Sequence, residues 1–552
     1  MTDIRELLAA ALHRLDLAGA LSSLEPNDLL PDRVEDSILD ELPTEWLSSL
    51  HERIRTGAYQ PVQAEPIYVP KSRFATRPAA LVNIEDRIVF EALTNALRGP
   101  VAAALVDKRF LLWPRAERSK KKWAEFKRSP IKTRRHTHVV LGDVAGFYES
   151  IDHALLADSI LDITGWPDIS AAIPAFLTIL MGRRRGLPQG LSSSDILATL
   201  YLAAVDAELA GQGLRYTRHG DDVRIGSRSY EAALVAAHAF ETAIRKMEIL
   251  ANDSKIGVRL RENYLADLDD IDATLDSLKA AWVDLQAQIP ELGDRSEVAD
   301  LVTRIAEEHP EFDEVGWEWY RGDLTPDELV ELIRPYLEPG DEIVAKQLLE
   351  ETFRLRPGGD EDRSIQLPSE RFADRFSFAL STLQASNSVF GIEFCETVLT
   401  DYPEQTKLVC TYLTSVAHSA PREVTNVCHK LLISKRAFLD WQIAWLLRTL
   451  SSVQEVPQDR SLQIAAKIVR LDRFGWLSRV EAAKFLAVSR KLPISQFNNL
   501  WTHAPVAFHT DLIECAVEAY SRRDSRFVGT YQLSRSNVVL RAVADRVAAP
   551  TQ

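Results

Sequence analysis

The stretch RYTRHGDDVRIGS, Arg215–Ser227, sets two carboxylates, Asp221 and Asp222, between short runs of strand-forming residues. A third acid, Asp143, closes the apolar run THVVLGD. Neighbouring anions repel, and a tight turn holds them together. If the two strands lie side by side in one sheet, the three carboxylates converge, and divalent cations offset their repulsion. Hard oxygen ligands favour magnesium, which takes one or two carboxylates plus substrate phosphates. Two such ions stabilise both the attacking and the leaving oxygen of a phosphoryl displacement. An isolated Asp-Asp pair is more often a solvated hairpin turn, so other segments must carry the reading.

Four segments do. GLPQGLSSSDILATLYL, from Gly186, is a turn feeding a long helix, with Ser192–Ser194 as expected N-caps. ILANDSKIGV brings Asn252 and Lys255. PVQAEPIYVPKSRFATRPAALVNIEDRIV starts extended and proline-bounded, with Lys71, Arg73 and Arg77 close together, and turns into an amphipathic helix from about Glu85. Lys108 to Arg135 is densely basic and includes RSKKKWAEFKRSPIKTRR. Trp113, Trp123 and Phe126 are interleaved with its cations, a pattern that suits a polyanion whose bases stack. A solvated helical face is the plainer alternative, but the chain carries a net charge of −15, so a basic run stands out.

In order and spacing, the strand-and-acid segment DVAGFYESID, the PQG turn, the YTRHGDD hairpin, the ANDSK segment and the upstream RPAALVNIEDRIV resemble a reverse transcriptase. The resemblance spans roughly residues 60–260. It implies an α+β, right-hand polymerase: fingers over roughly residues 1–140 and a palm with an antiparallel sheet over 141–262. Asp143, Asp221 and Asp222 would then be metal ligands for two magnesium ions, with manganese as a substitute. Tyr148 falls where the family carries a bulky aromatic that fills the space of a ribose 2′-OH. Gln189 and Gly190 would lie against the templating base pair, glycine permitting close backbone approach. Lys71 and Arg77 would hold the incoming triphosphate, and Lys255 would protonate the leaving pyrophosphate. One departure is His219, where an aromatic is usual. HGDD is similar to the Gly-Asp-Asp of viral RNA-dependent RNA polymerases and supports an alternative, an RNA polymerase or terminal nucleotidyl transferase using ribonucleotides.

These elements sit in a 552-residue chain, too long for one core. At 46% hydrophobic and 26% charged it is globular. Its four cysteines have no CxxC spacing, which argues against a zinc site or a disulfide framework and fits a reducing compartment. MTDIRELLAAALHRLDL is not a signal peptide, and AAIPAFLTILMG is too short to span a bilayer. A cytoplasmic protein without membrane contact is expected.

Strand signals vanish after about residue 262; residues 263–300 read as a transition and 301–552 as an all-α helical-repeat domain without a fixed period. Trp441 and Trp445, at i and i+4, should share a buried face, and Trp317, Trp319, Trp476 and Trp501 read as core. A polymerase followed by helices, with GFYESI in its first motif, is similar to bacterial abortive-infection and defence-associated reverse transcriptases. That resemblance implies antiphage defence. In some relatives synthesis needs no conventional template, starts on a protein tyrosine and occurs in an oligomer. The implied partners are therefore dNTPs, single-stranded DNA or RNA, DNA covalently held on a tyrosine, and further copies of the chain. Tyr59, Tyr68, Tyr320, Tyr336, Tyr402, Tyr412, Tyr520 and Tyr531 are equivalent candidates by sequence. A different class of reading makes the helical half a scaffold for a phage or host protein, beside a vestigial polymerase.

Overall fold

A computed structural model describes residues 3–39, 42–105, 120–271, 273–275, 341–358, 366–434, 438–453, 459–521, 525–527 and 538–548. Trp113, Trp317, Trp319, Tyr320, Tyr336, Tyr531 and the first part of the basic run lie outside the described residues. The fold is α+β. Small antiparallel sheets with helices occupy the first half, and among the described residues beyond Leu260 every regular element is helical.

The described residues fall into two compact units. One draws on residues 1–264, 428–451 and 457–552, the other on 265–427 and 452–456. In the second unit, helices Asp341–Arg354, Ser369–Ala385, Ile392–Asp401 and Thr406–Ser415 follow one another. Arg375 forks onto both oxygens of Asp270 at 2.7 and 2.9 Å, and Phe372 stacks on Tyr402 with centroids 4.3 Å apart.

In the first unit, β1 (Glu65–Ser72) and β2 (Ala75–Leu81) form a hairpin. The register shift between Pro70 and Ser72 leaves Lys71 out of the ladder, as a proline in a strand edge allows. Helix α1 (Ile84–Asn95) follows; Asn83 caps it by accepting from the Asp86 amide at 3.1 Å. Next come α2 (Lys120–Arg128) and then β3 (His138–Gly142), which leads through Asp143 to the short helix α3 (Phe147–Ser150). After the PQG turn runs α4 (Ser192–Tyr201). Then β4 (Tyr216–His219), β5 (Asp222–Ser227), α5 (Tyr230–Lys246) and β6 (Gly257–Leu260) complete a four-stranded sheet of order β4-β5-β3-β6.

β3 alternates little: Val139 and Val140 are both buried, as expected of a central strand covered on both faces. α5 lies so close to it that a Cβ on Gly142 would come within 2.8 Å of the Phe240 ring. Helices from the far end of the chain share this core. α6 (Asp440–Ser452), α7 (Trp476–Val488) and α8 (His509–Ser521) belong to the first unit. Ile513 and Val517 of α8, with Val539 and Val543, join the same apolar cluster as Leu8, Phe90 and Phe176. Trp441 is buried and meets the half-buried Trp445 edge to face, centroids 6.1 Å apart.

A buried charge network ties α8 to the N-terminal segment. Asp511 accepts from Arg33 Nε at 3.1 Å and Nη2 at 2.5 Å, and from Lys484 Nζ of α7 at 2.8 Å. Arg33 also donates to Glu35 at 2.6 Å, and Arg87 of α1 donates to Glu35 and Asp36 at 3.1 and 2.8 Å. All four cysteines are buried, and none is in a disulfide. Among the described residues, no helix is long and apolar enough to cross a membrane.

Candidate active site

β3 pairs with β5 so that Gly142 faces Val223, and β5 pairs with β4 so that Asp222 faces His219. The two-residue tip is therefore Gly220-Asp221, with Gly220 at φ +63° supplying the left-handed turn. This register brings Asp143, one residue past the end of β3, beside the acids of the hairpin. All three carboxylates line one cavity of about 520 Å³.

The site builds outward from Asp143, which is 5% exposed. Asn252 Nδ2 donates to its Oδ2 at 2.7 Å, and Lys255 Nζ sits 3.3 Å from its Oδ1. The Asn252 amide donates to the Asp143 carbonyl at 2.9 Å, so backbone and side chain of this acid are both fixed by the loop before β6. Under the hairpin, Arg218 forks onto Asp206 at 2.9 and 2.5 Å and donates to the Gly220 carbonyl at 3.1 Å. Burial, followed by the charges of Asp143 and Asp222, pushes the Asp221 carboxyl up to about 6. His219 packs against α2, edge-on to Trp123 at 5.0 Å and 5.7 Å from Phe126. The described part of the basic run thus begins beside the acidic hairpin.

The opposite wall comes from the β1–β2 hairpin and the PQG turn. Lys71, Arg77, Gln189 and Gly190 all line the cavity, as do Tyr148 and Lys255. Every site residue expected from sequence therefore meets in one space. Arg77 Nε is buried with no hydrogen-bond partner among the described residues. A buried guanidinium N–H left unsatisfied is costly. Lys71 is exposed; Arg73, also exposed, lies over the Phe74 ring.

Three features go beyond the sequence reading. Ser192–Ser194 do not cap α4, whose N-cap is Leu191 without a side-chain bond. Ser192 and Ser193 instead donate to Glu91 of α1 at 3.4 and 2.5 Å, and Ser194 donates to the Pro188 carbonyl at 2.6 Å. Gly190 sits at φ +93°, and a Cβ there would overlap the Asn27 side-chain amide. The close approach that this glycine permits is thus made by the N-terminal segment: Asn27 Nδ2 donates to the Gln189 carbonyl at 3.3 Å, and the Asp28 amide donates to that of Gly190 at 3.2 Å. Asp28 and Leu29 also line the cavity, and the Leu29 carbonyl accepts from Trp441 Nε1 of α6 at 2.7 Å. Third, Asp195 of α4, 4% exposed, accepts from the Tyr148 hydroxyl at 2.7 Å. No pattern in the sequence marks it, because an acid in the first turn of a helix is commonplace.

Among the described residues no three His, Cys, Asp or Glu side chains form a ready-made metal cage. The donor chemistry nevertheless fits a hard divalent cation. Three carboxylates line one cavity, and magnesium completes its shell with water and phosphate oxygens rather than protein. Of the candidate priming tyrosines, Tyr59, Tyr402 and Tyr412 are buried, with hydroxyls donating to Asp86 and to the Pro357 and Ser388 carbonyls. Tyr68 and Tyr520 are exposed.

Residues 69–282 match the family model described as reverse transcriptase (RNA-dependent DNA polymerase). The chain is also 26% identical over 190 residues to protein YkfC of Escherichia coli (strain K12), covering 32% of this chain and 49% of the relative. The chain thus spans about half the length of the curated relative it matches. Together with the four-stranded antiparallel sheet, these matches make residues 69–282 a reverse transcriptase domain.

Proposed function

We propose that this reverse transcriptase domain is an active polymerase that adds deoxynucleotides to a hydroxyl primer in the cavity between the two hairpins. The observation that carries this reading is the meeting of Asp143, Asp221 and Asp222 with Lys71, Arg77 and Tyr148 around that one cavity. Carboxylates and cations line one cavity of about 520 Å³, a charge pattern that suits a metal-bound triphosphate. Asp143 and Asp221, with Asp222 beside them, would hold two magnesium ions. When bound, these ions neutralise charge on the phosphates and on the attacking oxygen.

The chain's own groups do the rest. Arg77 and Lys71, which both line the cavity, bind the phosphate oxygens. The primer hydroxyl gives up its proton to water and its oxygen bonds to the α-phosphorus as the bond to pyrophosphate breaks. Lys255, exposed at the rim, gives the leaving group its proton. Asn252 keeps Asp143 oriented. Gln189 and Gly190 line the template side, and the Tyr148 ring occupies the space of a ribose 2′-OH. Trp123 and the described cations of α2 guide single-stranded nucleic acid toward the hairpin.

The helical second half and the GFYESI motif support a role in antiphage defence, with synthesis started on a tyrosine within an oligomer. Tyr68 and Tyr520 are the described candidates that keep the exposure a priming hydroxyl needs.

Purified protein is expected to incorporate labelled dNTPs with magnesium, and the double variant Asp221→Ala, Asp222→Ala to lose this by at least about 10³-fold. Equal incorporation by that variant overturns the reading. Protease treatment of the product separates the priming modes: DNA that enters a gel only after digestion marks a covalent protein link.

A further inference from the structure

We propose that Asp195 is a specificity-determining positioning residue: its carboxylate holds the Tyr148 hydroxyl and so fixes the ring that excludes ribonucleotides. This deepens the reading of Tyr148 given above and rests on it. The geometry that carries it is the bond from Tyr148 Oη to Asp195 Oδ1 at 2.7 Å, between two residues that both line the cavity.

The need for such an anchor follows from sterics. Ribose differs from deoxyribose by one hydroxyl, and a yielding apolar wall rejects an added hydroxyl by no more than about 10²-fold. Tyr148 is half-buried on a four-residue helix that begins after Gly146 at φ +54°. Its ring has staggered alternatives about its side-chain bonds, and a displacement of about an ångström would admit the extra oxygen. A charge-assisted bond at the far end of the ring removes that freedom.

The anchor itself is rigid. Asp195 lies in the first turn of α4, whose start is tied down on two sides: Ser193 donates to Glu91 at 2.5 Å and Ser194 to the Pro188 carbonyl at 2.6 Å. The strand of chain bearing Tyr148 is stitched to the same frame, because the Leu187 amide donates to the Tyr148 carbonyl and the Gly186 amide to that of Ile151, both at 2.8 Å. Gate and anchor therefore share one scaffold, and the hydroxyl sets the ring within it.

The test measures the ratio of dNTP to rNTP kcat/KM in four variants, Asp195→Ala, Tyr148→Phe, the double variant and Tyr148→Ala. Being a ratio within one preparation, it is insensitive to the fraction of folded enzyme. Asp195→Ala and Tyr148→Phe should each lower it about 10–100-fold, the worth of one hydrogen bond to a charged group. The double variant should lower it no further than either single change, because both remove the same bond. Tyr148→Phe keeps the ring and tests the idea even if Asp195→Ala fails to fold. A wild-type ratio in Tyr148→Phe, or losses that multiply in the double variant, overturns the proposal. Tyr148→Ala keeps the two levels apart. If it leaves the ratio unchanged, the gate reading fails and this inference with it. If it relaxes the ratio while Tyr148→Phe does not, the anchor alone is refuted.

Discussion

Replacing Asp511 by alanine should destabilise the first unit by a measurable and pH-dependent amount. Asp511 is 3% exposed and accepts from Arg33 twice and from Lys484 once. Removing it leaves two buried cations with less counter-charge, a change that typically costs about 3–5 kcal/mol. The lower end applies, since Arg33 keeps Glu35 at 2.6 Å and Lys484 keeps Glu514 at 2.6 Å. With about 2.1 cal/mol/K of unfolding entropy per residue and a unit of roughly 400 residues, about 3 kcal/mol lowers Tm by about 4 °C. The neighbouring Arg33 and Lys484 hold the Asp511 carboxyl well below the ordinary range despite its burial. A depressed carboxyl stabilises the fold above its unfolded value, and that stabilisation disappears as pH falls through the folded value. Differential scanning calorimetry of wild type and Asp511→Ala should therefore show a gap that is constant from about pH 5 to 8 and narrows below about pH 4. A gap under about 1 °C at pH 7, or one that widens on acidification, refutes the reasoning.

Four further outcomes are expected. Asn252→Ala removes a 2.7 Å bond to Asp143; at about 1.5–3 kcal/mol for a hydrogen bond to a charged group, dNTP incorporation should fall roughly 10–100-fold while Tm changes little. Gly190→Ala forces a side chain onto φ +93° and into Asn27, so a Tm loss should accompany a loss of incorporation. Trp441→Phe keeps an aromatic ring, though a smaller one, but not the N–H that reaches the Leu29 carbonyl, and steady-state kinetics should show a raised KM for dNTP of a few-fold, about 1 kcal/mol at most. Competition between dNTPs and rNTPs on the wild-type protein should favour dNTPs; a preference for rNTPs unchanged in Tyr148→Ala would instead support the ribonucleotide alternative suggested by HGDD.

The sheet and its acids were legible because strand alternation and hairpin chemistry act over a few residues. Asp143, Asp221, Asp222, Asn252 and Lys255 lie on or beside such elements, and their meeting follows from the order β4-β5-β3-β6. Lys71 and Arg77 were expected only from the reverse transcriptase resemblance, and the β1–β2 hairpin carries both into the lining of the cavity. What escaped depends on long-range packing. Ser192–Ser194 look like caps by local rules, yet the buried Glu91, some hundred positions upstream, recruits two of them. Asp195 reads as a solvated first-turn acid until Tyr148 is seen above it. Arg33 and Asp511, or Leu29 and Trp441, are more than four hundred positions apart, and no periodicity connects them.

The grip of Trp441 on the Leu29 carbonyl also orders events during synthesis. Ribosomes add about 5–20 residues per second, so the carboxylate cluster is translated well before the indole that braces its neighbouring wall. Between Asp222 and Trp441 lie roughly 10–45 seconds of elongation. A growing chain that has reached Asp222 holds the acids but not the indole that braces Leu29.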